Sequence, residues 1–426
     1  MALLAVVLSG STEVMGHYTE IYMKGLGNFI IRYFPIFLLG AIFGKLMDQS
    51  GAAASIANGI IRNLGARRAI IAIVLSCAVL TYGGVSIFIV AFGVYPMAKS
   101  LFQKADIPKR LVPGTIALGS FTFSMTALPG TIQIHNVIPM PYFKTDAFAA
   151  PVFGLVASLL IATLGIIYLN RRSISAQKNL EGYGFSEIVE DRQSDLPHLF
   201  LSVLPILMLI SLNFIFANAI IPKWDLTYLQ TEKFGFIDSD NVKGIWAIIA
   251  AMSITVTVML IVLKKYIQNP MDSLNKSISN TMLPLFNTAS EVGYGTTIAT
   301  LAGFEVIKMF VLTLFPEKPL LSVAVAVNFL AGITGSASGG LAIALETLGD
   351  RFYQMALDQN INTELMHRVS SMASSGLDSL PHNGAVITLL MICGLTHRQS
   401  YKEIAVTTLL IPVTVLIMMI LVISYI

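Results

Sequence analysis

The chain has 426 residues, 55% of them hydrophobic and 12% charged, with a formal net charge of +3. A typical soluble domain is roughly 25% charged, so this composition excludes a soluble globular protein and points to a polytopic helical membrane protein whose solvent is the lipid bilayer. The small net charge gives no reason to expect a nucleic-acid partner.

Crossing a bilayer takes ~20 apolar residues. Runs of that order are expected at 28–47, 69–98, 110–143, 147–169, 199–221, 243–263, 281–300, 319–349, 365–395 and 404–425. The first contains Gly40 and Gly44, a spacing that suits close helix packing. The second, 69–98, has Arg67 and Arg68 before it and Lys99, Lys104, Lys109 and Arg110 after it. A simple span would place one of these clusters outside, against the positive-inside rule. A re-entrant hairpin with its tip at Tyr82-Gly83-Gly84-Val85-Ser86 would keep both in the cytoplasm. Each arm is then about 12 residues, or roughly 18 Å of helix, enough to reach mid-membrane but not to cross. The hairpin is the preferred reading of the two.

The third run, 110–143, is interrupted by Leu128-Pro129-Gly130-Thr131. The fourth leads into a polar linker, 171–198, with Arg171, Arg172 and Lys178. That linker and the 264–280 loop (Lys264, Lys265, Lys276) are basic. The 222–242 loop between them balances Lys223 and Lys233 against four acids, so 199–221 and 243–263 read as a pair with cytoplasmic ends. A span at 281–300 follows, then an amphipathic piece with Glu305 and Lys308. The run 319–349 would be a second hairpin with its tip at Thr334-Gly335-Ser336-Ala337-Ser338-Gly339-Gly340. Finally, 365–395 is broken at Leu380-Pro381-His382-Asn383 and 404–425 closes the chain.

The interruptions are spaced alike. Gly83 precedes Pro129 by 46 residues, Gly335 precedes Pro381 by 46, and the second set is the first displaced by 252. Traced from the cytoplasmic 264–280 loop, the second hairpin enters from outside. The expected fold is therefore all-α and polytopic, with two inverted repeats, each holding a re-entrant hairpin and a broken transmembrane helix. Residues 1–170 form the first repeat, 171–198 a cytoplasmic linker and 199–426 the second repeat. Subtracting 252 from 199–221 and 243–263 puts most of the matching pair before Met1, so the first repeat is expected to lack most of its scaffold helices. The apolar start has no basic n-region and does not read as a signal peptide.

Several segments resemble the gluconate permease family, within the ion transporter superfamily of hairpin-containing carriers: 36–53 (IFLLGAIFGKLMDQSGAA), 80–96 (LTYGGVSIFIVAFGVYP), 126–139 (TALPGTIQIHNVIP), 290–295 (SEVGYG) and 374–390 (SSGLDSLPHNGAVITLL). The last looks most like the D-β-hydroxybutyrate permease branch. The resemblance implies proton-coupled uptake of a small hydroxy-carboxylate, with sodium as the other possible coupling ion, in the cytoplasmic (inner) membrane. It also implies a homodimer with a scaffold and a mobile transport domain.

Unpaired backbone in a bilayer is tolerated only in buried protein or beside a polar cavity, and paired interruptions in two halves point to a carrier's binding site. Half-helix N-termini offer free N–H groups to a carboxylate. The expected substrate-site residues are Gly83, Gly84, Ser86, Thr126, Gly130, Thr131, Asn136, Ser336, Ser338, Gly339, His382 and Asn383. The glycines allow close approach of the backbone, and the polar side chains bond carboxylate and hydroxyl oxygens; helix packing is the competing use of any single Ser or Thr. Ionised acids deep in spans mark function by default, and imidazoles can carry protons. Asp378, Glu291 and His135 are thus the coupling candidates. Cys77 and Cys393 read as buried small hydrophobes, not a disulfide or metal pair. With no Gly-rich phosphate loop, HExxH or GxSxG, no metal, cofactor or enzymatic activity is expected. A cation/proton antiporter and an intramembrane enzyme are the alternatives to a symporter.

Overall fold

The computed structural model describes residues 2–184, 196–267, 270–304, 306, 309, 315 and 318–424. Among them every regular element is a helix or helical turn. Five helices are long and apolar enough to cross a membrane: α2 (Val14–Gln49, after the short α1, Ala2–Leu8), α10 (Pro151–Lys178), α11 (Leu199–Lys223), α12 (Asp240–Val262) and α18 (His397–Ser424). On α10, Val152 is 74% exposed and Leu159 69%, as expected of a face turned to lipid.

The remaining helices are shorter or broken. Gly51 at φ +74° ends α2 and starts α3 (Ala52–Leu64), and the chain then bends by 103° into α4 (Ala69–Tyr82). At Gly84, φ +90°, it reverses into α5 (Ile87–Lys104), which returns far enough along α4 to touch the Ala66–Arg68 turn where α4 begins. The two basic clusters therefore lie at one end, as the hairpin reading requires. The run 110–143 breaks into α6 (Val112–Ser120), α7 (Phe123–Thr126), α8 (Ile134–Val137) and α9 (Met140–Phe143).

In the second half, α13 (Pro270–Ala299) precedes a tight hairpin of α14 (Pro319–Thr334) and α15 (Ala337–Asp358). A Cβ on Gly340 would overlap the Ala331 backbone, so the arms meet main chain to main chain. The run 365–395 becomes α16 (Thr363–Ser374), a turn at Leu377–Ser379 and α17 (Gly384–Cys393).

Lipid is as apolar as leucine, so helices associate in it through small residues that allow close approach. The long α2 and α13 do this where they cross. A Cβ on Gly25 would stand 2.6 Å from Thr296 Oγ1, and one on Gly293 would stand 2.7 Å from the Tyr22 carbonyl. Helix α12 packs on α2, and α11 on α12.

Several boundaries differ from expectation, among them the starts of α2 at Val14 and not 28 and of α18 at His397 and not 404. Helix α10 runs to Lys178, well into the segment read as linker, because the stretch from Arg171 continues an unbroken helical sequence. Helix α13 starts at 270 and absorbs much of the expected 264–280 loop. The connection 144–150 is the largest surprise. It turns inward and buries Ala147, Ala149 and Ala150, where the span expected over 147–169 was to begin; that helix starts at Pro151 instead. Glu305 and Lys308 lie outside the described residues.

Candidate functional site

Each hairpin tip is fastened to the break of its own half. In the first half, the Tyr82 hydroxyl donates to the Pro129 carbonyl (2.7 Å), and Gln133 Nε2 donates to the Thr81 carbonyl (2.8 Å). A Cβ on Gly84 would collide with Ile132 of the break. In the second half, Asn383 Nδ2 donates to the Gly335 carbonyl (2.9 Å), and His382 Nε2 donates to the Gly332 carbonyl (3.1 Å). These bonds satisfy backbone carbonyls that the interruptions set free.

The two broken segments are also joined to each other. Thr126 Oγ1 lies 3.0 Å from Ser375 Oγ, and the Thr126 carbonyl accepts from Ser371 Oγ at 2.8 Å. Arg368, fully buried on α16, donates to the carbonyls of Ala149 (3.1 and 2.8 Å), Ala147 (3.2 Å) and Thr126 (3.3 Å) and to Asn136 Oδ1 (2.6 Å). A guanidinium has five N–H donors, and all five are engaged. Arg368 is thus a clasp for the inward 144–150 connection, with no donor left over for a substrate.

Asn136 belongs to the same clasp. Its Nδ2 donates to the carbonyls of Thr131 (2.8 Å) and Ala147 (2.9 Å), and its Oδ1 accepts from Arg368 and from His367 Nε2 (3.1 Å). Because Oδ1 can only accept, Nε2 of His367 carries the hydrogen. Nδ1 of His367 is then the acceptor for the Thr145 hydroxyl at 2.6 Å. Every hydrogen-bonding capacity of Asn136 is filled within the protein, so it positions the break and does not offer a substrate contact.

The other expected residues fall into groups. At the first tip, Gly83 is buried against Ile206, and Ser86 precedes α5 exposed and without a side-chain cap bond. In the break, Gly130 (φ +84°) fits under Phe148, and buried Thr131 accepts from Gln133 N at 3.4 Å. His135 is 9% exposed, and its Nδ1 has no partner. At the second tip, Ser336 caps α15 by accepting from Gly339 N (3.1 Å), and Ser338 lies 3.3 Å from Thr288 of α13. A Cβ on Gly339 would overlap the carboxyl of Glu291, whose Oε2 is buried without a partner. Asn383 caps α17 by accepting from Val386 N (2.9 Å). Asp378 is 6% exposed and accepts from Ser379 Oγ (3.2 Å). Ser86 and Ser338, by contrast, make no hydrogen bond to one another.

Arg368 and His367 escaped the sequence reading, although an ionisable pair inside the 365–395 run was the signal for them. A second polar cluster closes one end of the bundle. Glu403 of α18, 1% exposed, accepts from Arg110 (2.6 Å), Arg172 (3.0 and 3.2 Å) and the Tyr168 hydroxyl (2.6 Å). Arg110 also forks onto Glu181 at 2.6 and 2.9 Å, and this holds the Glu181 carboxyl below the usual carboxylate range. No group of three His, Cys, Asp or Glu among the described residues could hold a metal ion.

Broken helices meeting through polar bonds inside a bundle of apolar spans define a multi-pass membrane transporter. Residues 2–426 match the model of the GntP family permeases, and the chain belongs to that family. It is 45% identical to the uncharacterized transporter YxjC of Bacillus subtilis (strain 168), over 96% of this chain and 90% of that protein. The inner membrane permease YgbN of Escherichia coli (strain K12) is 26% identical over 42% of this chain and 35% of its own length. Among solved structures, the Alcanivorax borkumensis YdaH transporter, described as having an unusual topology, superposes with a TM-score of 0.59 at 14% identity, over 97% of this chain and 90% of that one. The protein is accordingly a multi-pass transporter of the cytoplasmic (inner) membrane.

Proposed function

We propose that this permease is a proton-coupled symporter of a small hydroxy-carboxylate, of the size of 3-hydroxybutyrate or gluconate, working by alternating access as a homodimer. The observation that carries the reading is the docking of each hairpin tip on the break of its own half, with Thr126, Ser371 and Ser375 joining the two breaks. The carboxylate sits among the half-helix N-termini at Ser86, Ser336 and Asn383, approached over Gly83, Gly84, Gly130 and Gly339. Thr131 and Ser338 supply further hydroxyls, and Thr126 and His382 hold the surrounding backbone in place. The coupling proton resides on a buried acid, Asp378 or Glu291, with the His135 imidazole as the remaining candidate.

Two inverted repeats, 1–170 and 199–426 joined by 171–198, fit the cross-packing. The second arm of each hairpin meets the far end of the other half's broken segment: Tyr95 donates to the Cys393 carbonyl (3.2 Å), and Gly349 receives the Tyr142 ring.

The test is uptake of labelled 3-hydroxybutyrate and gluconate into proteoliposomes under an imposed pH or sodium gradient. Accumulation of either acid driven by the pH gradient is expected. Accumulation driven by sodium alone would replace the coupling ion, and no movement of either acid under either gradient would overturn the substrate class.

A further inference from the structure

The base of the first hairpin carries a set of unpaired cations. Arg62 at the end of α3, Arg67 and Arg68 in the turn before α4, and Lys99 and Lys104 on α5 form no ion pair among the described residues. All but the half-buried Lys99 are exposed. Both α3 and the Ala66–Arg68 turn touch α5. Counted from the reversal at Gly84, Arg68 lies 16 residues before it and Lys99 15 after it, so the two arms bring them to one depth.

On each arm a cation stands over an exposed apolar side chain. Leu75 is the only exposed residue of α4, and Arg68 precedes it by seven residues. Phe92 of α5 is 62% exposed, and Lys99 follows it by seven. Seven residues are close to two helical turns, so Phe92 and Lys99 share a face of α5, with Lys99 roughly 10 Å nearer the membrane surface. Exposed Phe88 extends that stripe one turn deeper. Helix α3 fits the same level. It is bent 103° from the helix that follows, and it buries Ala52, Ser55, Ile56 and Ala57 while Arg62 and Asn63 stay exposed. A helix of this kind lies along the interface with its cations among the headgroups.

We propose that the base of the first hairpin binds an anionic phospholipid of the cytoplasmic leaflet, with the headgroup phosphate against Arg68 and Lys99 and the acyl chains over Leu75 and Phe92. Clustered cations just cytoplasmic of a membrane helix attract anionic lipid, each adding roughly fivefold to the affinity. The apolar stripe below them calls for chains as well as a phosphate. A second copy of this chain is the competing cover for the stripe. A two-fold contact sets a surface against itself, so it would bring Arg68 and Lys99 up to their own copies. An anionic headgroup has the opposite charge and relieves the crowding of cations on one hairpin. The proposal does not depend on which substrate is carried.

The experiment uses the purified full chain in detergent. The probes are dioleoylphosphatidylglycerol, dioleoylphosphatidylcholine and glycerol 3-phosphate, and binding is read by native mass spectrometry and by the rise in Tm. Phosphatidylglycerol should bind and raise Tm. Phosphatidylcholine should bind more weakly, and glycerol 3-phosphate, which lacks the chains, should leave Tm unchanged. Arg68→Gln combined with Lys99→Gln should weaken phosphatidylglycerol binding about 25-fold. Arg68→Lys combined with Lys99→Arg, which keeps both charges, should retain it and guards against a folding defect in the glutamine variant. Equal binding of the two phospholipids by wild type, or undiminished phosphatidylglycerol binding by the glutamine variant, would overturn the proposal. An equal loss on replacing Lys264 and Lys265, exposed in the turn after α12, by glutamine would also overturn it, as diffuse surface charge. Glycerol 3-phosphate binding as tightly as the lipid would reduce the surface to a phosphate site. A disulfide-linked dimer through Phe92→Cys, in a background lacking Cys77 and Cys393, would give the stripe to a second copy.

Discussion

Replacing Arg368 by alanine tests whether the inward 144–150 connection is held in the way the hydrogen bonds indicate. The carbonyls do not suffer equally. The Thr126 carbonyl keeps its bond from Ser371, and the Ala147 carbonyl keeps Gly130 N and Asn136 Nδ2. Asn136 Oδ1 keeps His367. The Ala149 carbonyl alone loses both of its donors. An orphaned buried acceptor costs about 1–3 kcal/mol, and the cavity left by a fully buried long side chain adds about 2 kcal/mol or more. Removing a buried cation offsets part of this. The net expectation is about 3 kcal/mol, which at roughly 2 °C per kcal/mol for a large chain is a fall of about 6 °C in Tm. The assay is built into the sequence: its two cysteines, Cys77 and Cys393, are both buried, so a thiol-reactive fluorophore reports unfolding. Arg368→Lys, with three donors in place of five, should fall between alanine and wild type. An Arg368→Ala protein that melts within a degree of wild type would refute the clasp.

Three further outcomes follow from the geometry. Glu403→Leu removes the carboxylate that Arg110 and Arg172 share; Arg110 keeps Glu181, while Arg172 and the Tyr168 hydroxyl lose this acceptor, which should cost about 1–3 kcal/mol, read in the same melt. Cysteines at positions 68 and 99, in a background lacking Cys77 and Cys393, should both label from one face of the membrane; labelling from opposite faces would replace the hairpin by a simple span. The Glu181 carboxyl is held below its ordinary range chiefly by the hydrogen bond from Arg110. The stability it contributes is therefore present above the usual glutamate value of about 4.3 and is lost as pH falls through the lowered one. The protection of the Tyr183 amide, whose N–H donates to Asp106, measured as its exchange rate relative to the intrinsic rate at each pH, should fall below about pH 4, and should fall less in Glu181→Gln.

The interruptions were legible because proline, glycine and clustered hydroxyls are rare inside apolar runs, and they leave the same signature whatever packs around them. Gly84, Gly130 and Gly335 all take positive φ where the sequence placed a break. The 144–150 connection was not legible. Lys144-Thr145-Asp146 reads as an ordinary polar turn, and nothing local shows that Ala147 and Ala149 offer their carbonyls to a side chain more than two hundred residues away. Asn136 shows the same limit from the other side. Its residue type suits a ligand contact, and only the positions of Arg368 and His367 reveal that its capacity is already used.

The clasp also sets a timetable. Ala149 and Arg368 are separated by 219 residues. At roughly 5–20 residues per second of synthesis, the Ala149 carbonyl waits some 10–40 s for its donors while the first half is already at the membrane. Over that interval the nascent 144–150 connection must borrow water or a helper protein for those hydrogen bonds, and a ribosome stalled before position 368 would leave a first half unable to settle.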